Sequence, residues 1–142
     1  NCGYYKRISS VLKEFVEKDP EAKVIIKDYP ILGQQSQLLA LNAIALFIEN
    51  PDAYPYFHDF MMSESGLTNE KAEKWLERFG VNLDSLKGHY PEARDKLDQV
   101  RSLGAQLEVT GTPTIFFADG ERTNGGFTAE QLIAAFKKQE QD

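Results

Sequence analysis

Cys2 is the sole cysteine of the chain and its strongest candidate nucleophile; it sits in Asn1-Cys2-Gly3-Tyr4-Tyr5-Lys6-Arg7. Two thiols three positions apart at a helix start form a dithiol pair that cycles through an internal disulfide. Here Tyr5 stands where the second sulfur would be, so the motif has half of that chemistry. A thiolate attacks a disulfide sulfur and forms a mixed disulfide. A phenol forms no such bond, so resolving the mixed disulfide needs a thiol from elsewhere.

The residues that follow explain why Cys2 is expected to be reactive. Ile8, Val11, Leu12, Phe15 and Val16 recur at i, i+3, i+4, i+7 and i+8, which predicts an amphipathic helix. Asp19-Pro20 ends it, because proline disfavours helical geometry in the residue before it. Cys2 therefore lies at or just before the first turn, where backbone N–H groups lack partners and the helix dipole is positive. That setting favours the thiolate over the free thiol, whose pKa is about 8.5. Lys6 and Arg7 add positive charge one turn along. Most lone cysteines are buried and inert, but the position at a helix start, followed by a Gly-Tyr spacer, weighs against that here.

The elements that must position this thiol are those of one domain. At 142 residues the chain can bury a single core. Its net charge of −6 argues against nucleic acid or an anionic membrane as partner. The longest apolar stretch, around Leu38 to Ile48, contains Asn42 and is too short to span a bilayer. Residues 22–29 carry Val24-Ile25-Ile26 and read as a strand buried on both faces, which suggests an α/β sheet. A helix is expected from about Gln35 to Glu49, with Leu38, Leu39, Ala43, Leu46 and Phe47 facing the core. Asp52 can cap a shorter helix through Tyr56, Phe57, Phe60 and Met61. Leu67 to Phe79 forms another, and Leu83 and Leu86 mark a helical turn. Pro91 opens a further helix through Leu97, Val100, Leu103 and Leu107. The chain then returns to sheet: residues 114–118 read as a strand, Asp119-Gly120 as a turn, and Arg122 to Asn124 as the returning strand, with Gly125-Gly126 as a bulge or break. Thr128 and Gln131 have capping-box form before a last helix containing Leu132, Ile133 and Phe136.

A second motif, Gly111-Thr112-Pro113-Thr114, stands directly before the later strand. A proline entering a strand lacks a ladder donor; a cis Thr112–Pro113 peptide is one solution and an ordinary trans proline the other. The thiol motif, a central helical block and this Thr-Pro occur together in a fixed order. With residues 27–33 (Lys-Asp-Tyr-Pro-Ile-Leu-Gly) and 109–117 (Val-Thr-Gly-Thr-Pro-Thr-Ile-Phe-Phe), the chain resembles the DsbA-like thiol:disulfide oxidoreductases of the thioredoxin superfamily. The likeness covers nearly all of the sequence.

The resemblance implies a thioredoxin-like α/β fold over residues 1–142 as one domain, with residues 34–107 an all-helical insertion. It implies that Cys2 is the attacking cysteine, that Gly3, Tyr4, Tyr5 and Lys6 form its motif and thiolate environment, and that Thr112 and Pro113 form the cis-proline loop beside it. In the family that loop holds an extended substrate segment by backbone hydrogen bonds. It also implies cysteine-containing or unfolded protein substrates, a redox partner protein or glutathione, no cofactor, and an oxidising extracytoplasmic compartment such as the bacterial periplasm. Two departures stand out. Tyr5 replaces the second cysteine of the family, as a natural monothiol form, an engineered or erroneous change, or a sign of lost catalysis. The central strand that runs into the cysteine in the family is absent from this chain, and is expected from residues preceding Asn1.

Two function classes follow. One is thiol–disulfide exchange, with Cys2 forming mixed disulfides and Tyr5 shielding the sulfur or donating to it. The other is a non-catalytic binding module or chaperone for unfolded segments, with Tyr4, Tyr5 and Ile31 as apolar contacts. No metal set is expected: His58 and His89 lack partners at ligand spacing and are read as surface or helix-end residues. Glu14, Glu17, Lys18 and Asp19 are read as a solvated helix face, and Tyr54, Tyr56, Phe57 and Phe60 as core of the helical block or, less favoured, a substrate patch.

Overall fold

A computed structural model describes residues 2–123 and 127–139. The chain divides into two compact units: Lys27–Glu108, and Cys2–Ile26 together with the chain from Val109 on. The Gly125-Gly126 break and Asn124 lie outside the described residues, as does Asn1.

In the unit that carries the thiol, helix α1 spans Gly3–Lys18. Cys2 is its extended N-cap, and the Cys2 carbonyl accepts the first helical N–H, from Lys6, at 3.1 Å. Ile8 and Phe15 are buried, Val11 and Leu12 half-buried, while Val16 lies exposed at the edge of the stripe. Asp19 ends the helix and departs from the expected solvated face. It is buried, with its Oδ1 accepting the Glu21 N–H at 3.2 Å across Pro20, the side-chain-to-backbone bond of an Asx turn. Lys18 stays at the surface and bridges Glu14 at 2.6 Å and Glu130 at 2.8 Å.

Glu130 belongs to the last helix of this unit, α7 (Ala129–Gln139). Its capping box forms as the sequence predicts: the Gln131 N–H donates to Thr128 Oγ1 at 3.2 Å, and the Thr128 N–H donates to Gln131 Oε1 at 2.9 Å. Before it, β1 (Ile115–Phe116) pairs antiparallel with β2 (Arg122–Thr123), Ile115 opposite Thr123. The turn between them uses Gly120 at φ 89°, a left-handed conformation suited to glycine. Phe15, Ala22 and Leu132 form the small core, with Val24, Ile115, Phe117 and Phe136 packed against it.

The expected strand over residues 22–29 is not formed. Among the described residues β1 and β2 make the only sheet, and Ile25 is 69% exposed. An apolar β-branched run supplies strand propensity, but a strand exists only where a neighbour accepts and donates its backbone hydrogen bonds.

In the helical unit, α2 (Gln34–Glu49) is the central element. Leu39, Ala40, Leu41, Asn42, Ala43, Ala45 and Leu46 are all buried, so the helix is enclosed nearly all round. Around it stand α3 (Tyr54–Ser63), α4 (Asn69–Arg78), α5 (Leu83–Gly88) and α6 (Tyr90–Gln106). Phe57, Leu76 and Leu86 complete the core. Thr68 caps α4 and Asn82 caps α5 by accepting backbone N–H groups. Asp52 does not cap α3: Ala53 is the N-cap, and Pro55 sits in the first turn. A buried polar chain ties three helices together. The Tyr90 hydroxyl donates to Asn42 Oδ1 at 2.6 Å, and Asn42 Nδ2 donates to Asn69 Oδ1 at 2.7 Å. Gly104 faces the Tyr29 ring so closely that an added Cβ would stand 2.6 Å from it.

Several apolar side chains of this unit face outward. Phe47, Tyr56 and Phe79 are exposed, as are Leu103 and Leu107. Phe79 continues a stack of rings from the interior, 4.7 Å from Trp75, which lies 5.3 Å from Phe60. Offset ring stacking keeps such side chains in contact even at the surface. His58 is the opposite case. It is buried on α3 beside Tyr54, and burial pushes its imidazole pKa down, with Asp59 partly opposing. His89 lies at a helix end, between α5 and α6, as its sequence position suggests.

Candidate active site

The start of α1 and the turn before β1 meet at the sulfur of Cys2. The helix begins at Gly3 because Cys2 itself is extended, with φ −73° and ψ 113°, and the Cys2 side chain makes no cap hydrogen bond. That leaves the first-turn amides directed toward the sulfur. On the other side, Ile115 and Phe117 pack on the core and anchor the strand that follows Pro113. The Thr112–Pro113 peptide preceding that strand is cis.

Cys2 is partly accessible, and its S–H donates to the Thr112 carbonyl at 3.3 Å. Burial opposes ionisation of the thiol. The Thr112 side chain and the backbone N–H groups of Tyr5 and Tyr4 stabilise the ionised sulfur more strongly, and the pKa is lowered from its ordinary value. Thr112 thus faces both protonation states, its carbonyl accepting from the thiol and its side chain stabilising the thiolate. The family resemblance places the Thr112–Pro113 loop beside Cys2 and assigns it to the substrate; the hydrogen bond to the sulfur is a finding of the structure.

The remaining motif residues have distinct places. Gly3 is open: among the described residues, no atom beyond its chain neighbours and its own helix backbone lies within 4 Å of where a Cβ would stand. Tyr4 is 71% exposed, and the Arg7 guanidinium lies 4.5 Å over its ring. Arg7 is therefore engaged with Tyr4 beside the thiol. Tyr5 and Lys6 are half-buried in the first turn. Ile31 is exposed in the helical unit. Sequence reasoning passed over Asp28, also in the helical unit. Its half-buried carboxyl is pushed up to about 6 by burial. Among the described residues no group of three or more His, Cys, Asp or Glu side chains gathers as a metal site.

Residues 1–140 match the thioredoxin-like domain family. Among curated proteins the chain is similar to the "Probable thiol:disulfide interchange protein DsbC" of Bordetella avium (strain 197N), 26% identical over 93% of this chain and 37% of that protein. The chain thus spans under two fifths of that relative's length. Among solved structures it is similar to a thioredoxin-like oxidoreductase from Silicibacter pomeroyi DSS-3, with TM-score 0.90 and 25% identity over 100% of this chain and 82% of the other. It is also similar to the thiol-disulfide exchange protein alpha-DsbA2 from Wolbachia pipientis, with TM-score 0.87 and 26% identity over 97% and 76%.

Proposed function

This chain belongs to the thioredoxin-like domain family, in its DsbA-like branch, and from that premise we propose that it exchanges disulfides on protein substrates through Cys2. The observation that carries the reading is the placement of Cys2 Sγ at an uncapped helix N-terminus, 3.3 Å from Thr112, with its pKa lowered. At neutral pH a larger share of such a thiol is ionised than of a free cysteine.

The proposed cycle has two displacements. The Cys2 thiolate attacks one sulfur of a substrate disulfide, the Cys2–substrate S–S bond forms, and the other substrate sulfur leaves as a thiolate that takes a proton. A second thiolate then attacks the substrate sulfur of that mixed disulfide, making a new disulfide and releasing Cys2 as thiolate. When the second thiol is the substrate's own, the substrate is rearranged with no net change of oxidation state. When it is glutathione, the substrate leaves as a glutathione mixed disulfide. Tyr5 takes no part in the electron transfer, and the site works as a monothiol.

Thr112 and Pro113 are assigned to hold the substrate segment, and Gly3, Tyr4, Tyr5 and Lys6 to shape the approach to the sulfur. The exposed Tyr4 ring beside the thiol supports contact with apolar side chains of an unfolded chain. In this reading, residues 34–107 are an insertion within one domain of residues 1–142, and the protein works in an extracytoplasmic oxidising compartment, the bacterial periplasm or another of that kind. No helix among the described residues is long and apolar enough to cross a membrane.

The test is the pH dependence of Cys2 alkylation, together with trapping of a mixed disulfide by a scrambled-disulfide protein. A midpoint well below that of free cysteine and a trapped adduct lost in Cys2→Ser are expected. A slow thiol of ordinary pKa that still retains unfolded protein would overturn exchange and leave the binding-module reading.

A further inference from the structure

We propose that Thr114 is a positioning residue for Cys2: its hydroxyl ties back to the Gly111 carbonyl and so holds Thr112 against the sulfur. The proposal rests on reading Cys2 as the attacking thiol.

Thr114 Oγ1 donates to the Gly111 carbonyl at 2.8 Å. Only Thr112 and Pro113 lie between the two ends of this tie, and Thr112 is the residue whose carbonyl stands 3.3 Å from Cys2 Sγ. Pro113 has no N–H, so it brings no donor of its own to fix the turn. Gly111 has no side chain to pack, and among the described residues no atom beyond its chain neighbours lies within 4 Å of where a Cβ would stand. The other side is firm: Ile115 and Phe117 pack on the core formed by Phe15, Ala22 and Leu132. The Thr114 hydroxyl therefore transmits the anchorage of β1 back to the open end of the turn. Local side-chain to backbone bonds of this kind fix turns without help from a sheet ladder.

What depends on the tie is the balance at the sulfur. The Thr112 side chain is the largest of the influences that favour the thiolate over the thiol. A turn free to move withdraws both Thr112 groups for part of the time: the carbonyl, which accepts from the thiol and favours it, and the side chain, which favours the thiolate and is the larger influence. The sulfur then holds its proton to higher pH, and exchange slows at neutral pH.

The experiment compares the pH profile of Cys2 alkylation by iodoacetamide in the parent protein, Thr114→Val, Thr114→Ser and Thr68→Ala. Thr114→Val keeps the shape but removes the donor, Thr114→Ser keeps the donor, and Thr68→Ala removes a threonine cap in the helical unit. The expected result is an upward shift of the midpoint in Thr114→Val by about half a unit to one unit, which lowers the thiolate fraction about threefold to tenfold below the midpoint. Thr114→Ser and Thr68→Ala should follow the parent. A parent midpoint that is lowered but unchanged in Thr114→Val, or one that moves downward, overturns the role of Thr114 and leaves the exchange reading intact. Equal shifts in Thr114→Ser or Thr68→Ala assign the effect to general loosening and overturn it too. A parent midpoint at the ordinary thiol value removes the attacking-thiol reading, and this proposal with it. Circular dichroism of each variant confirms that the profiles belong to folded protein.

Discussion

The helical unit and the thiol-bearing unit are built from similar proportions of apolar residues but bury them differently. In the helical unit α2 is enclosed by four other helices, and Leu46, Phe57, Leu76 and Leu86 are wholly buried. In the other, Phe15, Ala22 and Leu132 form a small core, while Ile25 and Phe116 stand open to solvent. The first region satisfies the buried Asn42 amide internally, through Tyr90 and Asn69. The second leaves a sulfur and first-turn amides available at its surface. The contrast teaches that stabilising residues and reactive residues draw on different neighbourhoods: close packing needs helices on every side, whereas a thiolate needs donors and an open approach.

The sharpest way to break the contrast is to delete the same kind of atoms in both places. Leu46→Ala should lower stability by about 2–5 kcal/mol, since it leaves a cavity in a fully packed site. Ile25→Ala should cost under about 0.5 kcal/mol, because its side chain is already in water. Urea unfolding followed by circular dichroism measures both, and Trp75, the sole tryptophan, reports on the helical unit. Comparable losses at the two positions would mean that residues 22–26 are more enclosed than described.

The next effect is electrostatic. The Asp28 carboxyl is raised from 3.8 to about 6 by burial. The folded state therefore holds this proton more tightly than the unfolded chain. Its contribution is fully present below pH 3.8 and is lost as pH rises through 6. Because the residue is only half-buried, about 1–2 kcal/mol is expected over that window. Asp28→Asn should be more stable than the parent at neutral pH and lose that part of the pH dependence. Thermal unfolding at several pH values tests this, and a variant whose midpoint keeps the parent's pH slope would remove Asp28 as its source.

Smaller effects sharpen the comparison from each side. Tyr90→Phe strips one donor from the buried Asn42 and should cost about 1–2 kcal/mol in the helical unit. Thr128→Ala removes half of the capping box of α7 and should cost about 1 kcal/mol in the thiol-bearing unit. Hydrogen exchange can place each loss: protection should fall around Asn42 and Asn69 in the first variant and along α7 in the second. Loss spread evenly over both units in either variant would deny that the two regions carry separate stabilising contacts.

Local rules made much of this legible before any coordinates. Asp19-Pro20 marks the end of α1, Thr128 and Gln131 mark the start of α7, and Asp119-Gly120 marks the turn between β1 and β2. Each depends on residues within a few positions of one another. Periodicity was less reliable for α2, where Phe47 falls on a predicted core position yet is exposed. A stripe on a helix enclosed on several sides does not say which edge the neighbours leave open. The same limit applies to Tyr56, exposed where core was expected, and to His58, buried where a surface residue was expected.

What the sequence alone determined was the identity of the candidate nucleophile and its position at a helix start, because backbone amides and a following apolar stripe are local facts. The Thr-Pro before a strand was legible for the same reason. Only tertiary structure decided that Thr112 comes within 3.3 Å of a sulfur 110 positions earlier, and that residues 22–29 pair with no strand among the described residues. Contacts of that span depend on how distant elements pack, and backbone pairing depends on a partner that a run of apolar residues cannot name. The thiol was written in the chain; its partner came with the fold.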